Sequence, residues 1–249
     1  MFNGTVKFVA EIRGNGITFS SFDFNPNEPG IVKVQIEGPD GHEIKSAVHL
    51  VSVATEDVGM VLAEKVNTAT LNRIAFLYNL AIEKARSTES SFSTVNPPPG
   101  VHLVAAGAAM FIRGAGTVAL GITPPALPAF KSQLEQVALP GERNFGLLRS
   151  ARQSESPAEE FMHLYHILLM IHDDKQPKVD GFIEGQEPSV PQTQHPRKPI
   201  GVMETIYTRL RNEFAHNRAG GNLEPTKAEM ANRLGGLIAL VKRAIELHP

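Results

Sequence analysis

Near the C-terminal end of this 249-residue chain, Arg211-Asn212 is followed, after three intervening residues, by His216. On a helix, Asn212 and His216 share a face, whereas Arg211 stands about 140° round from His216. The two charged groups do not stack, so a target common to both must lie beyond the helix end or across a dimer interface. Arginine offers a fixed fork of donors that matches a phosphate and stabilises charge building on it. Histidine titrates near neutrality and can take a proton from a ribose 2′-hydroxyl or hand one to a leaving oxygen. Asn212 can orient the imidazole or bind substrate. The plainer use of the same residues is to cap the last carbonyls of their helix.

Three other patterns invite chemistry. Glu160-Phe161-Met162-His163 and Glu213-Phe214-Ala215-His216 both have the Glu-x-x-His spacing that supplies ligands in di-metal carboxylate bundles. That site needs one further Glu on each of two more helices, and Glu135, Glu142, Glu204 and Glu229 form no obvious pair. His163, His166 and His172 read better as surface or interface histidines than as ligands of a single metal. Gly114-x-Gly116-x-x-Ala119 has the outline of a dinucleotide fingerprint, but Pro124-Pro125 leaves no room for the helix it requires. Ser150, Ser154 and Ser156 sit in no nucleophile elbow. With no cysteine in the chain, disulfides, thiolate metal sites and a thiol nucleophile are all excluded.

The elements that must carry these residues fall into two halves. Val6, Phe8, Ala10 and Ile12 alternate at period two, and Ile17 and Phe19 resume after Gly14-Asn15-Gly16, which predicts a hairpin. Val32, Val34 and Ile36 alternate up to the turn Gly38-Pro39-Asp40-Gly41, and a further strand is expected over 47–53. Leu62, Val66, Ala69, Ile74, Leu77 and Ala81 then form a helical stripe over 56–86. Phe92 to Val95 can return to a strand, and 101–122 reads as two more. The first domain, 1–123, is therefore α+β, with strands and one long helix.

Strand signals stop after Pro124-Pro125. Helices are expected over 128–138 and 142–152, and Ser156-Pro157-Ala158-Glu159 is a capping box that opens another, ending near His172. Residues 176–200, with Pro177, Pro188, Pro191, Pro196 and Pro199, read as a long loop. A helix over 202–216 stops before Gly220-Gly221, and Thr226-Lys227-Ala228-Glu229 reads as a second capping box for the last helix. The second domain, 124–249, is an all-helical bundle.

Arg211, Asn212 and His216, closing one helix before a Gly-rich turn and a last long helix, resemble the motif of the HEPN superfamily of helical-bundle proteins. The resemblance spans roughly 125–249, and the helix capped by Ser156 looks like the preceding long helix of such bundles. Residues 149–173 also look like members with an N-terminal α+β domain, some of them named as methylamine-utilisation proteins of the MauJ type. The resemblance implies metal-independent RNA cleavage by a homodimer, with no cofactor. Arg211 would be the phosphate clamp, His216 the acid/base and Asn212 the orienting polar group. It equally implies a non-catalytic alternative, since many such domains dimerise, sense or bind a nucleotide-like ligand.

Charge sets limits on both. Lys plus Arg at 24 against Asp plus Glu at 26 gives no general bias towards nucleic acid or anionic lipid. Over 151–249 the counts are 12 and 13, so the bundle lacks the basic footprint of an RNA binder. Arg209, Arg211 and Arg218 against Glu213 give only a local excess. The N-terminus has no signal-peptide pattern, and the near-apolar run 101–112 is shorter than the roughly 20 residues a bilayer span needs. A cytoplasmic protein without membrane partners is expected.

Overall fold

Alternating burial organises the first 53 residues into four strands. The computed structural model describes residues 1–95, 119–122, 126–137, 139, 141–216 and 222–248, in two compact units, Met1–Leu139 and Pro140–Pro249. The architecture is α+β, with a sheet in the first unit and mostly helices in the second. No helix among the described residues is long and apolar enough to cross a membrane.

In the first unit, β1 (Phe2–Arg13) turns Val6, Phe8, Ala10 and Ile12 to the core. It runs antiparallel to β4 (Glu43–Val53), with Val6 opposite Val48 and Ala10 opposite Ile44. Next come β3 (Ile31–Gly38) and β2 (Gly16–Phe24), both antiparallel, and then β7 (Ala119–Gly121), parallel to β2. The other edge of β1 carries β5 (Ala81–Ile82) and β6 (Arg86–Thr94). Helix α1 (Glu56–Tyr78) packs on the apolar face, capped by the Thr55 side chain. It stops at Asn79, whose left-handed backbone (φ 55°) closes the last turn, so the helix ends well before 86.

The expected β1–β2 hairpin is not formed: β4 and β3 lie between the two strands. A local turn signal specifies a reversal but not the partner, and here the chain crosses the tip of the β3–β4 hairpin. The Ile12 N–H donates to the His42 carbonyl at 2.7 Å, and Gly16 then rests on Gly41. A β-carbon at Gly16 would overlap the Gly41 carbonyl oxygen. Gly16→Ala should therefore destabilise the first unit by about 1–3 kcal/mol, measurable as a lower urea midpoint; an unchanged midpoint would refute this packing. Val32 also departs from expectation. A register shift between Ile31 and Lys33 buries Ile31 and leaves Val32 50% exposed.

Helix α2 (Leu127–Glu135) belongs with this sheet, so the division between units falls after Leu139 rather than after 123. Phe130 sits edge-on among Phe19, Phe22 and Tyr78, with centroids 5.2–5.3 Å away. The buried Arg73 Nη1 donates to the carbonyls of Leu134 and Gln136 at 2.8 and 2.6 Å, which satisfies the helix end. Two strands are expected over 101–122, and the described residues of that stretch, 119–122, carry β7. The rest of that stretch, including Gly114 and Gly116, lies outside the described residues.

The second unit opens with a 3₁₀ turn (Glu142–Asn144) and α3 (Phe145–Arg152). Helix α4 (Pro157–Ile171) has both halves of its capping box: Ser156 Oγ accepts from Glu159 N–H, and Glu159 accepts from Ser156 N–H. Residues 176–200 are not one long loop. Helix α5 (Gln176–Gln186) begins there, with Pro177 in its first turn, where no N–H is needed, and with Val179 and Ile183 buried. A short hairpin of β8 (Gln192–Gln194) and β9 (Met203–Thr205) follows, so α6 (Ile206–His216) starts later than 202. Helix α7 (Glu224–Leu247) starts before Thr226, which therefore lies inside the helix and donates its hydroxyl to Glu213 at 3.1 Å. Phe161, Leu164, Leu168, Leu210, Leu237 and Val241 form the interior of this unit.

Candidate functional site

Helix α6 must place one stripe in the core and another outward. Ile206, Tyr207 and Leu210 take the inner stripe, and Thr208 and Asn212 are buried beside it. Arg209, Glu213 and His216 follow one another on a different side, at spacings of four and three. Arg209 donates to Glu213 at 2.7 Å and to Glu229 of α7 at 2.5 Å, so its charge is spent within the fold. The local positive excess expected from the sequence is correspondingly reduced, and Arg218 lies outside the described residues.

Asn212, 2% exposed, turns inward. Its Nδ2 donates to Glu204 Oε2 at 2.9 Å and reaches Gln176 Oε1 at 3.4 Å, while its Oδ1 accepts from Arg211 Nη1 at 2.9 Å. The amide therefore holds Arg211 and not the imidazole of His216. Arg211 is half-buried, and this one bond leaves most of its five donors without a protein partner among the described residues. His216 is exposed in the last turn. Within one chain the helix keeps Arg211 and His216 about 140° apart, and no hydrogen bond joins them.

No motif foretells what Asn212 binds. Glu204, 2% exposed, also faces His195, whose Nε2 lies 3.7 Å from Oε2. His195 Nδ1 accepts from the Arg197 N–H at 3.1 Å, which leaves the proton of a neutral ring on Nε2, towards the carboxylate. Beside this chain of contacts lies a second buried acid. Asp180 Oδ1 accepts from Thr205 N–H at 3.2 Å, Thr205 Oγ1 at 2.8 Å and Thr208 Oγ1 at 2.6 Å. Since Thr208 gives its proton to Asp180, Tyr165 donates to Thr208 Oγ1 at 2.6 Å. Burial raises the Asp180 pKa above the ordinary 3.8, against those hydrogen bonds, and the nearby Glu204 adds to the rise. Burial likewise raises that of Tyr165, which stays a neutral donor.

The two Glu-x-x-His patterns do not converge. Glu160 is paired with Arg152, Glu213 with Arg209, and His163 Nδ1 lies 3.0 Å from Ser154 Oγ. His172 packs against Phe182 and His248, and burial lowers its pKa. Among the described residues no three His, Asp or Glu side chains are grouped to hold a metal. No family model, curated protein or solved structure matches this chain.

Proposed function

We propose that the second unit is a HEPN-like module that acts as a homodimer and cleaves RNA without a metal. One chain supplies Arg211 and a second copy supplies His216. The observation that carries this reading is the divergence of the two groups on α6. Arg211 is held from behind by Asn212 with donors to spare, and His216 is exposed on another side, a divergence that a second copy bridges by bringing its own His216 to the phosphate held by Arg211. In such a site His216 removes the proton of a ribose 2′-hydroxyl as that oxygen bonds to phosphorus. The P–O5′ bond breaks, O5′ takes its proton from water while His216 returns its own to solvent, the product is a 2′,3′-cyclic phosphate, and Arg211 stabilises the charge on the phosphoryl oxygens. Asn212 becomes a positioning residue for Arg211.

A second reading, a non-catalytic dimerisation or ligand-binding module, is favoured by the near-neutral charge of 151–249 and the commitment of Asn212 to Glu204. Incubating the purified chain with RNA in excess EDTA, together with sizing, separates the two. Cleavage by a dimer supports the first; a dimer inert towards RNA supports the second.

A further inference from the structure

An asparagine amide is nearly symmetric in shape, so by size alone Asn212 could face Arg211 with its oxygen or with its NH₂ group. Only the oxygen serves, because a guanidinium donates and never accepts. The partner that fixes the choice must therefore accept and never donate. Gln176, at 3.4 Å, does not meet that condition, since its own amide can turn to offer either end. Glu204 meets it. A carboxylate accepts only, and Glu204 Oε2 takes the Asn212 Nδ2 proton at 2.9 Å, which turns the amide oxygen towards Arg211 Nη1.

The carboxylate is itself firmly mounted. Glu204 is 2% exposed in the middle of β9, opposite Thr193 of β8. The next residue, Thr205, is fastened to Asp180 through its N–H at 3.2 Å and its hydroxyl at 2.8 Å. At the other end of the hairpin, Gln194 accepts from the Gly201 N–H at 2.8 Å and donates to the carbonyls of Pro199 and Val202 at 3.0 and 3.1 Å, tying down the 195–202 loop. That loop carries His195, whose N–H donates to the Val202 carbonyl at 2.8 Å and whose Nε2 lies 3.7 Å from Glu204 Oε2. We propose that Glu204 is a positioning residue for Arg211, acting through Asn212, and that the β8–β9 hairpin is the mount of the phosphate clamp. The inference rests on the nuclease reading above for the use to which Arg211 is put. Without an acceptor at 204 the amide is free to turn, and an NH₂ group facing the guanidinium displaces it from the phosphate.

The test compares Glu204→Met, which keeps the length of the side chain but no oxygen, with Glu204→Gln, which keeps an oxygen for the Asn212 amide. RNA cleavage is assayed in EDTA, with circular dichroism showing each variant folded. Glu204→Met should lower kcat about 10- to 100-fold, the cost of misplacing a group by about 1 Å, and Glu204→Gln should recover it to within about three-fold of native. In an Arg211→Ala background Glu204→Met should cost nothing further, since no guanidinium is left to place; an equal fall in both backgrounds overturns the proposal. A second readout needs no catalysis. In NMR spectra the Arg211 Nη hydrogens, assigned by their loss in Arg211→Ala, give distinct signals while Asn212 holds one of them and average together when it does not. They should be distinct in native and Glu204→Gln protein and averaged in Glu204→Met. The same pattern in all three proteins overturns the positioning role, whatever the RNA assay shows. Averaging in Glu204→Met alone, in a protein that cuts no RNA, keeps the positioning role and removes the nuclease reading. If Glu204→Met does not fold, Glu204→Gln decides alone, and averaged Arg211 signals in it overturn the proposal.

Discussion

His216→Ala is expected to abolish metal-independent RNA cleavage while leaving the melting temperature unchanged. The imidazole is exposed in the last turn of α6 and packs no core, so the fold loses nothing with it. A positioned acid/base contributes about 10²- to 10⁴-fold to rate, and the loss in kcat should fall in that range. Arg211→Ala should cost about 10²- to 10³-fold by removing donors from the phosphoryl oxygens, and Arg211→Lys should not restore the rate, because an ammonium lacks the planar fork. Asn212→Ala differs from both. It frees Arg211 and leaves the buried Glu204 without its amide donor, so it lowers stability together with activity. Cleavage undiminished in His216→Ala protein would remove the role assigned to that residue.

The largest expected effect on stability is at Asp180. Asp180→Ala leaves the Thr205 N–H and the hydroxyls of Thr205 and Thr208 without their acceptor in a dry interior, at a cost of about 3 kcal/mol in urea unfolding. Asp180→Asn keeps an oxygen for those donors and removes the buried charge, so at neutral pH it should match or exceed the native protein. The pH dependence runs opposite to that of an ordinary ion-paired carboxylate. Burial holds the native Asp180 pKa above 3.8, so just above that pH the folded chain keeps a proton that the unfolded chain has released. The contribution of Asp180 to stability is therefore greatest below 3.8 and falls as pH rises through the raised native value. Melting curves of native and Asp180→Asn proteins between about pH 4 and 7 should diverge in the variant's favour as pH rises; parallel curves would show that Asp180 titrates normally.

Much of this architecture was written locally. The period-two runs of Val6–Ile12 and Val34–Ile36, and the Ser156 capping box, depend on neighbours within a few residues, and each is formed. Strand pairing is not local: Gly14-Asn15 signals a turn, yet nothing in it says that β3 and β4 will separate β1 from β2. Helix α5 was hidden by the prolines around it. Pro177 is in its first turn and the others follow its end, while Val179, Phe182 and Ile183 were too short an apolar trace to stand out among them. The Arg-Asn-x-x-x-His spacing was legible, but not where Asn212 spends its amide. That depends on Glu204 and Gln176, eight and thirty-six residues away, and the latter belongs to the helix that was missed. The Asp180 cluster was lost for the same reason.

The claim that Arg211 and His216 meet only between chains has a direct test. Arg211→Ala and His216→Ala proteins, each inactive alone, are mixed, allowed to exchange subunits, and assayed for RNA cleavage in EDTA. In a mixed dimer one of the two trans sites keeps both native residues, so random exchange should restore about one quarter of native activity. A mixture as inactive as its components, despite proven exchange, would contradict the account.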